Sequence, residues 1–256
     1  MIPYERRLQL QWFINAIISI IAVSFCIYTS QFEILLWAFL WAYLVVCIGS
    51  NAGFHRWASH HSWKPSEPIK WFMMSIFMFG APGSPLLTVL FHRYHHKHSD
   101  SEDDPHSPHI IGWLRGATGQ FNKTPGYTGG GKDLFKEPSI VFFHRHYWKV
   151  QALIYISALL LGGPLFLALF VCFAGFYTST IAGHILDGVT SHYKWLGYRW
   201  FDTNDHSNNN PIFALLSGGE AWHNNHHAKP GKYYFGHKWW EFDPAGFLIW
   251  AFLKRV

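Results

Sequence analysis

Long apolar runs alternate along this chain with polar, histidine-bearing stretches. Residues 12–28 form a run of seventeen without a charge, and residues 32–48 form a second that carries one acid, Glu33, at its start. Each is at the short end for a helix crossing a bilayer, where ~20 apolar residues are typical. Thr29, Ser30 and Gln31 between them leave room only for a tight helical hairpin. Residues 151–189 make another apolar stretch, interrupted by Gly162-Gly163-Pro164, a sequence that breaks a helix or turns it back. The pattern predicts an all-α integral membrane protein with four transmembrane helices in two hairpins, at about 12–28, 32–48, 152–169 and 170–185. The polar remainder, 50–150 and 188–256, is expected to form a histidine-rich cap within a single membrane domain covering 1–256. A cleaved signal peptide is a poor account of the first run, because no small-residue cleavage site follows and a second span begins at once.

Composition agrees with a lipid environment. Half the residues are hydrophobic and 14% are charged, against about 25% charged in soluble domains. Fourteen Trp and twelve Tyr suit the membrane–water interface, where amphipathic rings gather. Arg6 and Arg7 precede the first span, and residues 51–149 hold most of the remaining Lys and Arg. The positive-inside rule then puts the N-terminus, the middle segment and the C-terminus on the cytoplasmic side, so every polar cluster shares one face. The net charge of +5 comes from basic residues scattered singly among aromatic and apolar ones, which fits anionic headgroups rather than nucleic acid. Cys26, Cys47 and Cys172 all lie in apolar stretches and read as packing residues. Residues 122–136, with Gly126, Gly129, Gly130 and Gly131, read as a flexible loop, and the sequon at Asn122 is expected to go unused on a cytoplasmic loop.

Eighteen histidines change the picture from membrane protein to candidate metalloenzyme. His92, His95 and His96 sit at i, i+3 and i+4, as do His223, His226 and His227, and on a helix each set shares one face. His55 and His60, five apart, fall about 140° apart on an α-helix. They converge only if one lies at a helix end, or else they serve different metals. So many imidazoles gathered without a cation would leave buried donors and acceptors unpaired or crowd like charges. Eight such ligands exceed one ion's coordination, so two metals follow; imidazole alone does not choose between Zn, Cu, Fe and Ni.

The stretches Gly53-Phe54-His55-Arg56-Trp57-Ala58-Ser59-His60, His92-Arg93-Tyr94-His95-His96-Lys97, Asp104-Pro105-His106 and Gly219-Glu220-Ala221-Trp222-His223-Asn224-Asn225-His226-His227 resemble the three histidine boxes of membrane fatty acyl desaturases, more narrowly the stearoyl-CoA (delta-9) type. The match runs in order from about Gly53 to Asp243. The resemblance implies a di-iron centre held by nine histidines: His55, His60, His92, His95, His96, His223, His226, His227 and one more after the last span. His192, in His192-Tyr193-Lys194-Trp195-Leu196-Gly197-Tyr198-Arg199, matches the family's last ligand but for two extra residues, and Gly188 stands where the family has Asn. His184 is the rival.

The same resemblance implies O2 as co-substrate and removal of two hydrogens from adjacent methylenes, giving a cis double bond. The substrate would be an acyl-CoA or acyl-lipid, and the electrons would come from a separate ferredoxin, rubredoxin or cytochrome b5 with its reductase. No dinucleotide fingerprint and no haem-binding His-Pro-Gly-Gly stretch is present in the sequence. A bacterial-type plasma membrane is favoured over the endoplasmic reticulum. Asp104 is a candidate to orient a ligand imidazole, with a helix cap or a solvated acid as its ordinary alternatives. Arg56, Arg93 and Lys97 are candidates for substrate phosphate or lipid headgroups, and Trp71, Phe72, Phe77 and Trp113 for an acyl tunnel. His61 and His98 read as neighbours of ligands; His106, His109, His144, His146, His206 and His237 read as loop or interface residues. A related alkane, lipid or carotenoid hydroxylase is the first rival function. A metal transporter is the second, disfavoured because the spans carry few ionisable groups.

Overall fold

The computed structural model describes residues 4–80, 83–120 and 130–254. The sequon at Asn122 and the loop glycines Gly126 and Gly129 lie outside the described residues. Within them the protein is helical, with isolated bridges at Tyr198–Asn209 and Asn209–Trp222 in place of strands.

Helix α1 spans Tyr4–Tyr28, and α2 spans Phe32–Leu44 and runs on as a π-helical segment, Val45–Ser59. The hairpin between α1 and α2 is as tight as expected: Gln31 N–H donates to the Cys26 carbonyl at 2.7 Å, and Ser30 takes a positive φ of 56° to close the turn. Helices α3 (Glu67–Gly80) and α4 (Pro85–His98) are set at 85° to one another. Beyond them, a helical run from Tyr147 to His192 mixes α, π and 3-10 winding over 46 residues. Gly163 breaks it, with φ 75° and ψ −175° immediately before Pro164.

Among the described residues, three helices are long and apolar enough to cross a membrane: Arg6–Tyr28, Phe32–Ser59 and Tyr147–His192. The last of these is two helices meeting at a kink at Gly163, where the sequence places Gly-Gly-Pro. Their outer faces are apolar: Ile17, Ile20, Ile21, Leu160 and Leu161 are exposed, a cost in water that lipid removes.

The core that positions the site lies where α3 crosses the Val45–Ser59 segment, with Ala52, Trp57, Met73, Met74 and Phe77 buried together. Gly49 makes the crossing possible, since a Cβ there would stand 2.5 Å from the Phe77 backbone nitrogen. Small residues let helices in lipid approach this closely, where packing replaces the hydrophobic effect as the driving force.

Candidate metal centre

The Val45–Ser59 segment carries His55 in its last turn, and His60 caps its C-terminal end. His60 N–H donates to the carbonyl of His55 at 3.2 Å, five residues back. With i→i+5 bonding each turn holds more residues than an α-helical turn, so the fifth residue falls much nearer the face of the first than the 140° of an α-helix. His60 therefore occupies the helix end that the spacing required, and the π winding turns it onto the face of His55, with ring centroids 4.9 Å apart.

On α4, Pro85 occupies the first turn, where its missing N–H costs nothing, and the last turns present His92, His95 and His96. The third box is a six-residue helix, His223–Ala228. Its two intervening asparagines pin it from the opposite side. Asn224 Oδ1 accepts from the backbone N–H groups of Trp200 and Phe201, and Asn225 Nδ2 donates to Glu241 at 2.9 Å. Gly218 and Gly219 lead into this box with φ of 68° and 108°. Gly219 faces the Asp243 carboxylate where no side chain has room.

These elements gather the nine predicted histidines into two groups. His55, His60, His92, His96 and His226 form one, and His95, His192, His223 and His227 the other; in each, one ligand-capable atom per residue lies within 4.8 Å of all the rest. His184 stands apart from both, packed against Gly119. Across the first group the Nε2 atoms of His55 and His226 are 3.0 Å apart, and those of His60 and His92, and of His226 and His96, 2.9 Å. Across the second, His192 Nε2 and His223 Nε2 are 2.9 Å apart. Two nitrogens bound ~2.1 Å from one ion, at about a right angle, are separated by about 3.0 Å.

Carboxylates stand behind the rings. Asp104 accepts from His95 Nδ1 at 2.9 Å, Asp100 from His192 Nδ1 at 2.9 Å, and Asp205 from His227 Nδ1 at 2.6 Å. Glu220 meets His55 Nδ1, and Asp187 lies 2.8 Å from His223 Nδ1. A carboxylate on Nδ1 fixes the tautomer with the proton there and leaves the Nε2 lone pair facing inward. Among the described residues, the buried Nε2 atoms of His95 and His227 have no hydrogen-bond partner, and a cation would give them one. The donor set therefore fits two imidazole-bound metal ions.

At His226 and His227 the electrostatics favour the neutral ring, the form that binds metal. Burial, with His223 nearby, pushes His227 down to about 4, against the opposing pull of Asp205. Burial and the neighbouring His55 hold His226 well below the usual imidazole range. Burial would raise Asp205, but its bond to His227 and those from Ser207 and Thr203 outweigh it and hold the carboxyl below the usual range.

Asp104, of the sequence candidates, takes the orienting role. Glu220, Asp100, Asp187 and Asp205 were missed; only Glu220, inside the third box, carried any sequence signal. Arg56 is fully buried between Glu220 and Asp243, 3.0 Å from each, so it buttresses His55 and does not face a substrate phosphate. Arg93 is likewise spent, on Asp133 and the carbonyls of Ala58 and Ser59. Lys97 stays at the surface. His61 pairs with Asp133 at the surface, and His98 packs on Tyr94. His106 stacks on His95 with ring centroids 4.0 Å apart.

A cavity of about 610 Å³ opens beside the histidines and runs between the spans. Trp12, Phe54, Phe79, Leu87 and Phe91 line it with His55 and His92. The four aromatics expected there are absent from its wall. Phe77 is buried in the core, Trp71 packs on Phe142 and Phe143, and Phe72 and Trp113 are exposed.

Residues 33–255 match the protein family described as Fatty acid desaturase. Among similar proteins, an acyl-CoA C20 Delta5-desaturase of Anemone leveillei is 33% identical over 83% of this chain and 70% of its own length. An sn-1 stearoyl-lipid 9-desaturase of Anabaena variabilis is 31% identical over 82% of this chain and 75% of its own. A hex-5-enoyl-[acyl-carrier protein] acetylenase of Moorena producens is 29% identical over 93% and 79%.

Proposed function

Because this chain belongs to the fatty acid desaturase family, we propose that it introduces a cis double bond into a thioester- or lipid-linked acyl chain at a di-iron centre. The observation that carries this reading is the division of nine histidines into groups of five and four with converging Nε2 atoms. His55, His60, His92, His96 and His226 would hold one iron, and His95, His192, His223 and His227 the other.

Iron bound there would supply the O2-reducing oxidant that an unactivated methylene requires. The reaction balances when two C–H bonds yield two hydrogens with their electrons, and a donor adds two electrons and solvent two protons. Dioxygen then leaves as two waters. The chain's own residues aim the imidazoles: Glu220, Asp104, Asp100 and Asp205 accept from Nδ1 and turn Nε2 inward. The cavity between the spans would seat the acyl chain, with Trp12, Phe54 and Phe91 excluding water beside His55 and His92. Its closeness to the histidines favours chemistry on a methylene within the chain.

The 46-residue run broken at Gly163 is long enough for two passes of ~20 residues, which makes four crossings with the cap on the cytoplasmic face. The electron donor is proposed to be a separate ferredoxin, rubredoxin or cytochrome b5. The relatives' names span CoA, glycerolipid and carrier-protein substrates, so the acyl carrier is set by the test. Fatty acid methyl esters from a desaturase-deficient host expressing the chain are expected to include a new monounsaturated acid, absent when His95→Ala or His226→Ala is expressed. A hydroxylated acid without an alkene would transfer the assignment to a hydroxylase.

A further inference from the structure

We propose that Asp100, His109 and His206 form an additional, outer site for a divalent transition-metal cation of the zinc class, electrically joined to the inner centre through Asp100. The proposal rests on the reading of His192 as an inner ligand only for its regulatory consequence, not for the site itself.

Three observations assemble it. One ligand-capable atom from each residue lies within 4.8 Å of the other two, and the rings of His109 and His206 stand with centroids 4.3 Å apart. His206 Nδ1 is 3.5 Å from Asp100 Oδ2, close to the spacing of two donors on a tetrahedral ion (about 3.4 Å for bonds of ~2.1 Å). Among the described residues that Nδ1 has no hydrogen-bond partner. His109 Nε2 donates to the backbone carbonyl of His192 at 2.7 Å. Its proton is thereby placed on Nε2, and Nδ1 keeps a lone pair. Asp100 reaches the cluster from a left-handed backbone, φ 57°, a conformation Asp tolerates and functional positions often retain.

Two imidazole nitrogens and a carboxylate oxygen are a set that borderline cations prefer, with the remaining position open to water. His109 is exposed and His206 half-exposed, so the cation can enter from solvent, whereas the inner histidines are largely buried. The regulatory consequence lies in the shared carboxylate. Asp100 Oδ2 accepts from His192 Nδ1 at 2.9 Å and from the His206 backbone N–H at 2.7 Å. A cation on that oxygen withdraws charge from the His192 bond and makes the imidazole a weaker ligand inside, where such supporting contacts are worth ~10–100-fold in metal affinity.

The test uses the purified, iron-reconstituted full chain with Zn²⁺ alone as probe, metals counted after desalting, in wild type, His206→Ala and His109→Ala. Wild type is expected to take up one zinc per chain without stoichiometric loss of iron, and each variant to bind that zinc at least 10-fold more weakly while keeping its iron. Equal zinc affinity in all three proteins, or zinc that only replaces iron one for one, would overturn the outer site. The iron count is read separately in the same samples. Wild type that takes up no iron would defeat the inner reading, while a zinc equivalent lost in both variants would still establish the outer one.

Discussion

His192 and His223 face each other Nε2 to Nε2 at 2.9 Å, while Asp100 and Asp187 stand behind their respective Nδ1 atoms. Both rings belong to the second histidine group, and a spacing of this size is what one cation bound between them would produce. His192→Ala is expected to lose about one metal equivalent and essentially all desaturation. His184→Ala, outside both groups, is expected to keep two. Metal counts on the two variants, purified side by side, distinguish the rival ninth ligands; loss of metal in His184→Ala alone would reverse the assignment.

Asp205 holds His227 from behind at 2.6 Å. Asp205→Asn keeps the shape but removes the charge, and is expected to weaken metal retention by ~10–100-fold with helicity unchanged. Chelator competition followed by circular dichroism reads both quantities. Unaltered retention would mean that the carboxylate does not serve the metal.

Outside the spans, Arg93 ties α4 to Asp133, and hydrogen bonds from Arg93, more than the opposing effect of burial, hold the Asp133 carboxyl down to about 2. A depressed carboxyl stabilises the fold above its unfolded pKa of ~3.9 and loses that contribution as pH falls towards 2. The pair is partly exposed, so its contribution is ~1 kcal/mol or less. The gap in melting temperature between wild type and Asp133→Asn should be present at pH 6 and close by pH 3 to 2. A gap independent of pH would exclude the ion pair as its source.

At the crossing of α3, Gly49→Val is expected to destabilise the protein by ~1–3 kcal/mol or more, because overpacking a close helix contact forces backbone shifts. Thermal unfolding in detergent followed by size-exclusion chromatography measures this, and an unchanged midpoint would show that the crossing yields without strain.

Ala182 is buried on the cavity wall and is not one of the metal-facing residues. Ala182→Phe is expected to keep two metals and to abolish or shorten the range of acyl chains desaturated. Product profiles across chain lengths give the answer; an identical profile would place the acyl chain elsewhere.

Two of the three boxes were legible because i, i+3, i+4 spacing is a property of any α-helix, and both triplets lie on one. The pairing of His55 with His60 was half legible: the need for a helix end could be derived, but the π winding follows from tertiary packing. The orienting acids were the blind spot. Asp187 and Asp205 lie 36 and 22 residues before His223 and His227, and Asp100 lies 92 residues before His192. No local spacing connects such pairs. The tunnel aromatics failed for a related reason: Phe77 and Trp71 are aromatic and near the boxes in sequence, but which face of α3 looks into the cavity is decided by the Gly49 contact.

The Val45–Ser59 winding turns the spacing of the first box into a gauge of helical pitch. An ordinary α-helix would bring a second imidazole over His55 at the fourth residue; here it comes at the fifth. Removing one residue between His55 and His60 would therefore ask the segment to rewind towards the tighter α-helical turn before the two rings could meet again. That rewinding would rotate Gly49 away from α3. The same turn of backbone thus sets the distance between two metal-facing rings and the depth at which a neighbouring helix can nest, and a change that suits one must be tolerated by the other.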